Sequence, residues 1–177
     1  MPGYITKLIQ IFLHPIPKKL ENQPHLYVQP QYGTKLQLTV PGDKTPLLQP
    51  DDIIKLQQIV GAVLYYARAV VDTLITALNE LSSAQSKGTQ ATMQAIIKLM
   101  DCCRAHRDAK IVYCASQMQL HIHSNASYLL VSKTRSRVGG QFFRSDRFDP
   151  TSRTKHNGAV LEVAYILKHV VASASEA

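Results

Sequence analysis

The chain has 177 residues, is 45% hydrophobic and carries a formal net charge of +8, which suits one compact domain or two small ones. No apolar run approaches the roughly 20 residues that cross a bilayer, and the opening MPGYITKLIQIF has no small-residue cleavage site, so neither a membrane span nor a secretory leader is expected. Three cysteines, with Cys102 and Cys103 adjacent, make no disulfide framework, which points to a reducing interior, cytoplasmic or nuclear.

Ile5, Leu8, Ile9, Phe12 and Leu13 recur at helical spacing, so the pattern predicts a short helix over Gly3–Leu13. HPIP then stops it, because proline lacks an amide hydrogen and disfavours helix in the residue before it. Residues 14–50 hold most of the prolines and no sustained periodicity, and read as an extended connector on a surface. Pro50 suits a first helical position, and Asp51 and Asp52 sit where the helix dipole favours negative charge, which explains the acidic pair without a metal.

Ile53, Leu56, Ile59, Val60, Val63, Leu64 and Ala67 then mark one face of a helix. A break near Val70–Asp72 leads into a second helix with Leu74, Ile75, Leu78 and Leu81. SSAQSKGT is a polar turn, and Thr89 can cap a third helix carrying Met93, Ile96, Ile97, Met100 and Cys103 on one face. Three helices so close in sequence should pack as a small bundle.

After HRDAK the character changes. KIVY, QLHIH, GGQFF and AVLEVAYIL read as four short strands between polar or glycine-containing turns, and the closing HVVASASEA is more helix-like. Helices first and strands second make the class α+β. The expected divisions are residues 1–50 (N-terminal helix and connector), 51–108 (helical) and 109–177 (strands).

Several side chains are candidates for chemistry. His121 and His123 share one side of a strand and form half of a zinc site, but a structural site needs four ligands. Cys102, Cys103, His106 and Cys114 lack a paired C-x-x-C spacing, and Cys103 continues an apolar face where a buried thiol belongs. Gly139-Gly140 has neither the spacing nor the following helix of a phosphate loop. Lys133, Arg135, Arg137, Arg144, Arg147, Arg153 and Lys155 stand against Asp146 and Asp149, a net +5 that attracts phosphate backbones or else is an ordinary solvated surface.

HSNASYL is the most informative stretch. A strand that ends in an acid, a small residue and serine opens metal-dependent nucleases of the ribonuclease H class. Their chemistry needs several carboxylates around two Mg²⁺ ions about 3.5–4 Å apart. Magnesium prefers charged oxygen ligands, so Asn125 fits the position sterically and fails it electrostatically.

In fixed order, MPGYITKLIQIF, PQYGTKLQ, IVGAVLYYARAV, LITALNELSSAQ, DAKIVYCASQMQLHIHSNASYL, SRVGGQFF and NGAVLEVAYILKHVVASASEA span nearly the whole chain. Together they resemble the copia-type LTR-retrotransposon polyproteins, from the end of the reverse transcriptase into the ribonuclease H domain. That family usually reads H-S-D-A-S in the nuclease strand, so the resemblance puts its first catalytic aspartate at Asn125. It also ends this region with S-x-x-E-A-E, whose second glutamate is thought to hold metal; Glu176 matches the first glutamate, and the sequence stops one residue short of the second. The polymerase's tyrosine-x-aspartate-aspartate motif is absent from this sequence, and AVVDTLI places its aspartate one position later than the family tends to.

The resemblance implies a thumb/connection-like helical region to about residue 108. It implies a partial antiparallel ribonuclease H-like sheet beyond, with the start of that domain's first helix. The family uses Mg²⁺; this fragment is expected to bind no cofactor and to be no enzyme on its own, with no intact catalytic or metal-holding set. Three readings of function follow. The first is a catalytically silent polyprotein fragment, whose partners are the rest of the polyprotein and, through an unpaired strand edge, other copies. The second is a non-catalytic module that holds an RNA–DNA hybrid or a DNA or RNA backbone through the basic window 133–155. The third is a zinc-binding interaction domain on His121 and His123.

Overall fold

A computed structural model of the protein describes residues 1–17, 19–25, 43–131, 135–151 and 156–167. Among the described residues the fold mixes four α-helices with a three-stranded antiparallel sheet. The described residues divide into two compact units, one holding the helices through Lys110 and the other holding the strands from Ile111 onward.

In the helical unit, α1 runs Tyr4–Ile11, α2 Pro50–Ala69, α3 Ile75–Ala84 and α4 Gln90–Ala105. Gly3, at φ 73°, takes the N-cap of α1 in a left-handed conformation open to glycine. Proline begins α2 with Asp51 and Asp52 in its first turn and Arg68 in its last, the charge order that the helix dipole favours. The break expected after Val70 is present, and a 3-10 turn at Asp72–Leu74 leads into α3. Thr89 caps α4 through a reciprocal box: its hydroxyl accepts from the Thr92 amide and its own amide donates to the Thr92 hydroxyl, both at 3.2 Å.

These helices bury one another's apolar faces. Leu56, Ile59, Val60 and Val63 of α2 are buried, as are Leu78 and Leu81 of α3 and Ile96, Leu99 and Met100 of α4. The first helix joins this core through Ile5 and Leu8, packing on α4, and the Tyr4 hydroxyl donates to the Ala62 carbonyl at 3.0 Å. Fully burying one such aliphatic side chain is worth about 1.5–3 kcal/mol, so this unit holds a substantial hydrophobic core.

The connector after α1 is tied to the bundle where it is described. His14 Nε2 lies 2.6 Å from Asp101 Oδ1, and Lys98 Nζ lies 2.6 Å from Glu21 Oε2, so both anchor points are on α4. Residues 46–48 run antiparallel to 88–90, with Leu48 donating to the Gly88 carbonyl and Gln90 to the Pro46 carbonyl.

Among the described residues the sheet unit contains three strands, not four. β1 covers Gln119–Val131, β2 Arg135–Ser145 and β3 His156–Ile166, in the order β1-β2-β3. KIVY is not one of them: residues 110–118 have no regular structure. Ile111–Ser116 instead lies beside the start of β3, where Gly158 donates to the Val112 carbonyl at 3.2 Å and the Tyr113 hydroxyl donates to the Ala159 carbonyl. The closing HVVASASEA lies outside the described residues.

Register sorts the side chains onto two faces. Leu120, Ile122, Val138, Phe142, Leu161, Val163 and Tyr165 share one, and His121, His123, Asn125, Gln141, Phe143 and Glu162 the other. Phe142 pairs with Leu161 and Phe143 with Ala159, so Val160 is one residue too many, a bulge. Leu120, Ile122, Leu161 and Tyr165 are each more than half exposed, and no apolar side chain of this unit is buried among the described residues.

Candidate functional site

The polar face of the sheet carries the sequence-predicted site. Asn125 lies in the middle of β1, not at its end, because the ladder with β2 continues past it: His123 opposes Gln141, Asn125 opposes Gly139 and Ala126 opposes Val138. Small polar residues that look like a strand's end stay extended when an antiparallel partner satisfies their backbone groups.

Across the sheet, the Asn125 row continues through Gly139 to Ala164, so the exposed carboxamide stands over two small residues. Its Oδ1 accepts from the Ala126 amide at 2.9 Å. The next row is His123, Gln141 and Glu162. Gln141 Nε2 donates to Glu162 Oε1 over a long 3.5 Å, and the rings of His123 and Phe143 meet edge to face at 5.4 Å between centroids. His121 Nε2 lies 2.8 Å from the Asp146 carbonyl oxygen, which gives that ring a structural partner at the end of β2.

Glu162 is the sole carboxylate of the three strands. It sits two strands from Asn125 and one row along, so the two backbones are separated by about 10 Å or more at a strand spacing near 4.8 Å. A two-metal site takes several carboxylates around its ions, and among the described residues these strands supply one. Among the described residues no three of the His, Cys, Asp and Glu side chains gather as a metal site. The H-x-H pair therefore gains neither a third nor a fourth zinc ligand from the described part of the chain.

The basic window is spread over the sheet. Arg137 and Arg144 belong to β2 at positions of opposite parity, so they fall on opposite faces, Arg144 on the apolar one. Arg144 Nη1 donates to the Met118 carbonyl at 2.9 Å, and the Arg147 amide donates to Gln117 Oε1 at 2.9 Å. Arg135 begins β2. Lys133, Arg153, Lys155 and Glu176 lie outside the described residues.

The contacts that sequence reasoning missed are those between residues far apart along the chain. His14–Asp101, Glu21–Lys98 and Thr89–Asp43 join residues 87, 77 and 46 positions apart, and no local pattern announces them. Tyr66 is another: seven residues on from Ile59 and three from Val63, it extends the edge of the apolar stripe on α2 and is 1% exposed. Compared with protein-family models, curated proteins and solved structures, the chain has no match in any of the three.

Proposed function

We propose that this chain is a piece of a copia-type retrotransposon polyprotein, joining thumb/connection-like helices to the opening strands of a ribonuclease H-like sheet, and that its nuclease position is silent. The observation that carries the reading is Asn125. It occupies mid-strand on the polar face of an antiparallel meander, where the resemblance puts an aspartate, and the face around it offers one distant carboxylate. An amide oxygen can approach a cation but brings no charge to balance it.

The test is cleavage of an RNA–DNA hybrid with Mg²⁺ by this chain and by Asn125→Asp. Neither is expected to cut, since the substitution restores one carboxylate of several. Cleavage by the unmodified chain overturns the proposal.

A second, compatible reading is a non-catalytic grip on a nucleic-acid backbone, favoured by the +8 net charge. Each phosphate neutralised contributes about −0.7 to −0.9 to the slope of log affinity against log salt. With Arg137 and Arg144 on opposite faces, the sheet brings few of its arginines to any single backbone, so a shallow slope is expected. A flat salt response excludes this reading.

A further inference from the structure

Asn157 and Gly158 form the sole Asn-Gly pair of the sequence. Asparagine is a thermolabile residue, most of all before glycine, whose missing Cβ leaves its own nitrogen free to approach the side chain. That nitrogen, losing its proton to a solvent base, attacks the asparagine Cγ. The N–Cγ bond forms, the Cγ–Nδ2 bond breaks and ammonia leaves. Water then opens the resulting imide at either carbonyl, giving aspartate or isoaspartate.

Packing requires glycine here, because a Cβ at Gly158 would strike Ile111 Cγ2. The fold thus keeps the residue that makes Asn157 reactive, and it also restrains both reacting groups. The nucleophile, Gly158 N, donates its hydrogen to the Val112 carbonyl at 3.2 Å. The electrophilic carboxamide is engaged at both ends by Cys114, with Oδ1 accepting from the amide at 2.7 Å and Nδ2 donating to the carbonyl at 2.9 Å. Ring closure needs the nitrogen to shed its proton and the carboxamide to swing onto it, so both contacts must break first. Both belong to the strip Ile111–Ser116, which the Tyr113 hydroxyl also ties to the Ala159 carbonyl at 3.1 Å.

We infer that Asn157 is a modification site, deamidated when Ile111–Ser116 lifts from β3, and that the product keeps this strip from closing again. A carboxylate at position 157 still accepts from the Cys114 amide but has no hydrogen for the Cys114 carbonyl, which leaves two acceptors facing each other. Isoaspartate also lengthens the main chain by a methylene and throws the rest of β3 out of register with β2. The inference is independent of the polyprotein reading.

The full chain is aged at one pH and temperature, folded in buffer or unfolded in guanidinium, and peptide mass spectrometry follows Asn157. Conversion in the folded chain should be at least about tenfold slower, the ratio set by an opening that costs about 1.4 kcal/mol. Tyr113→Phe removes one tie of the exposed strip without touching the reacting groups. It should speed conversion in the folded chain about fivefold, the worth of one hydrogen bond, and leave the unfolded rate unchanged. Aged molecules that have gained a negative charge, separated by ion exchange, should exchange the Gly158 amide hydrogen faster than unaged ones. Equal rates in the folded and unfolded chains, no acceleration by Tyr113→Phe, or unchanged exchange at Gly158 overturns the inference.

Discussion

Asn157 takes hold of Cys114 by both ends of its backbone: its Oδ1 accepts from the Cys114 amide at 2.7 Å and its Nδ2 donates to the Cys114 carbonyl at 2.9 Å. A carboxamide has the donor and acceptor spacing of a peptide unit, so this side chain stands in for a strand neighbour. It holds Ile111–Ser116 against β3 where no ladder forms.

The next residue makes that approach possible. A Cβ on Gly158 would lie 1.9 Å from Ile111 Cγ2, a distance no packing tolerates. Gly158→Ala should therefore destabilise the sheet unit by about 1–3 kcal/mol, the usual cost of overpacking. Ile111→Ala in the same chain should recover much of that loss, because the clash lies chiefly with one side chain. Denaturant melts of the single and double variants measure the coupling, and additive losses would contradict the contact.

His14 and Asp101 form a more buried link between the segment after α1 and the bundle than Glu21 and Lys98 do, with the two side chains only 6% and 18% exposed. Removing either partner strands the other in a poorly solvated place. His14→Ala and Asp101→Ala should each cost about 1–3 kcal/mol, and the double variant should cost less than their sum. Equal and fully additive losses in urea melts would show that the pair does not interact.

Acid sensitivity should arise at two carboxylates. The hydrogen bond from Lys98 holds Glu21 below the usual carboxylate range, and hydrogen bonds from Thr89 and Thr45 do the same for Asp43. A depressed folded-state pKa means that the unfolded chain binds the proton more readily. The stability these groups contribute is present above the ordinary carboxylate pKa, about 4, and is lost as pH falls through the lower folded value. Lys98→Ala and Thr89→Ala should each flatten the acid limb of a melting-temperature profile and leave its slope between pH 6 and 8 unchanged. Thr89→Ala should also lower stability at neutral pH by about 1 kcal/mol, since it removes the cap of α4.

The thiols offer a probe that needs no substitution. Cys114 is exposed, whereas Cys102 and Cys103 are buried and the pKa of each is raised. Thiolate, not thiol, is the nucleophile. A disulfide reagent at neutral pH should modify Cys114 promptly and reach the other two only as the helical unit opens. Three sulfurs reacting at one rate under native conditions would contradict the packing of α4.

The helical half was legible because its signals are local. Pro50, the acids behind it, the apolar stripe from Leu56 to Ala67 and the Thr89 cap each act within a turn or two of helix, and all appear where the pattern puts them. The strands were legible as to kind but not extent. The length of β1 is set by what lies opposite, and Gly139 and Val138 carry the ladder through Asn125 and Ala126, whose composition suggests an end. KIVY has the apolar content of a strand, yet β3 meets it with one main-chain bond, at Val112, and grips the next residue, Cys114, with an Asn side chain. The site was legible as a position, Asn125, while its surroundings depend on cross-strand register, which one strand's sequence does not contain.

The uncovered apolar face of the sheet has a calorimetric consequence. The heat absorbed per degree on unfolding grows mainly with the apolar area newly exposed to water, and the described strands already present theirs. Melting of the sheet should hardly move the baseline of a scanning calorimeter, while the helical unit should give the visible step. The two halves of one chain would thus obey stability curves of different shape, one gently sloped with temperature and the other strongly bowed.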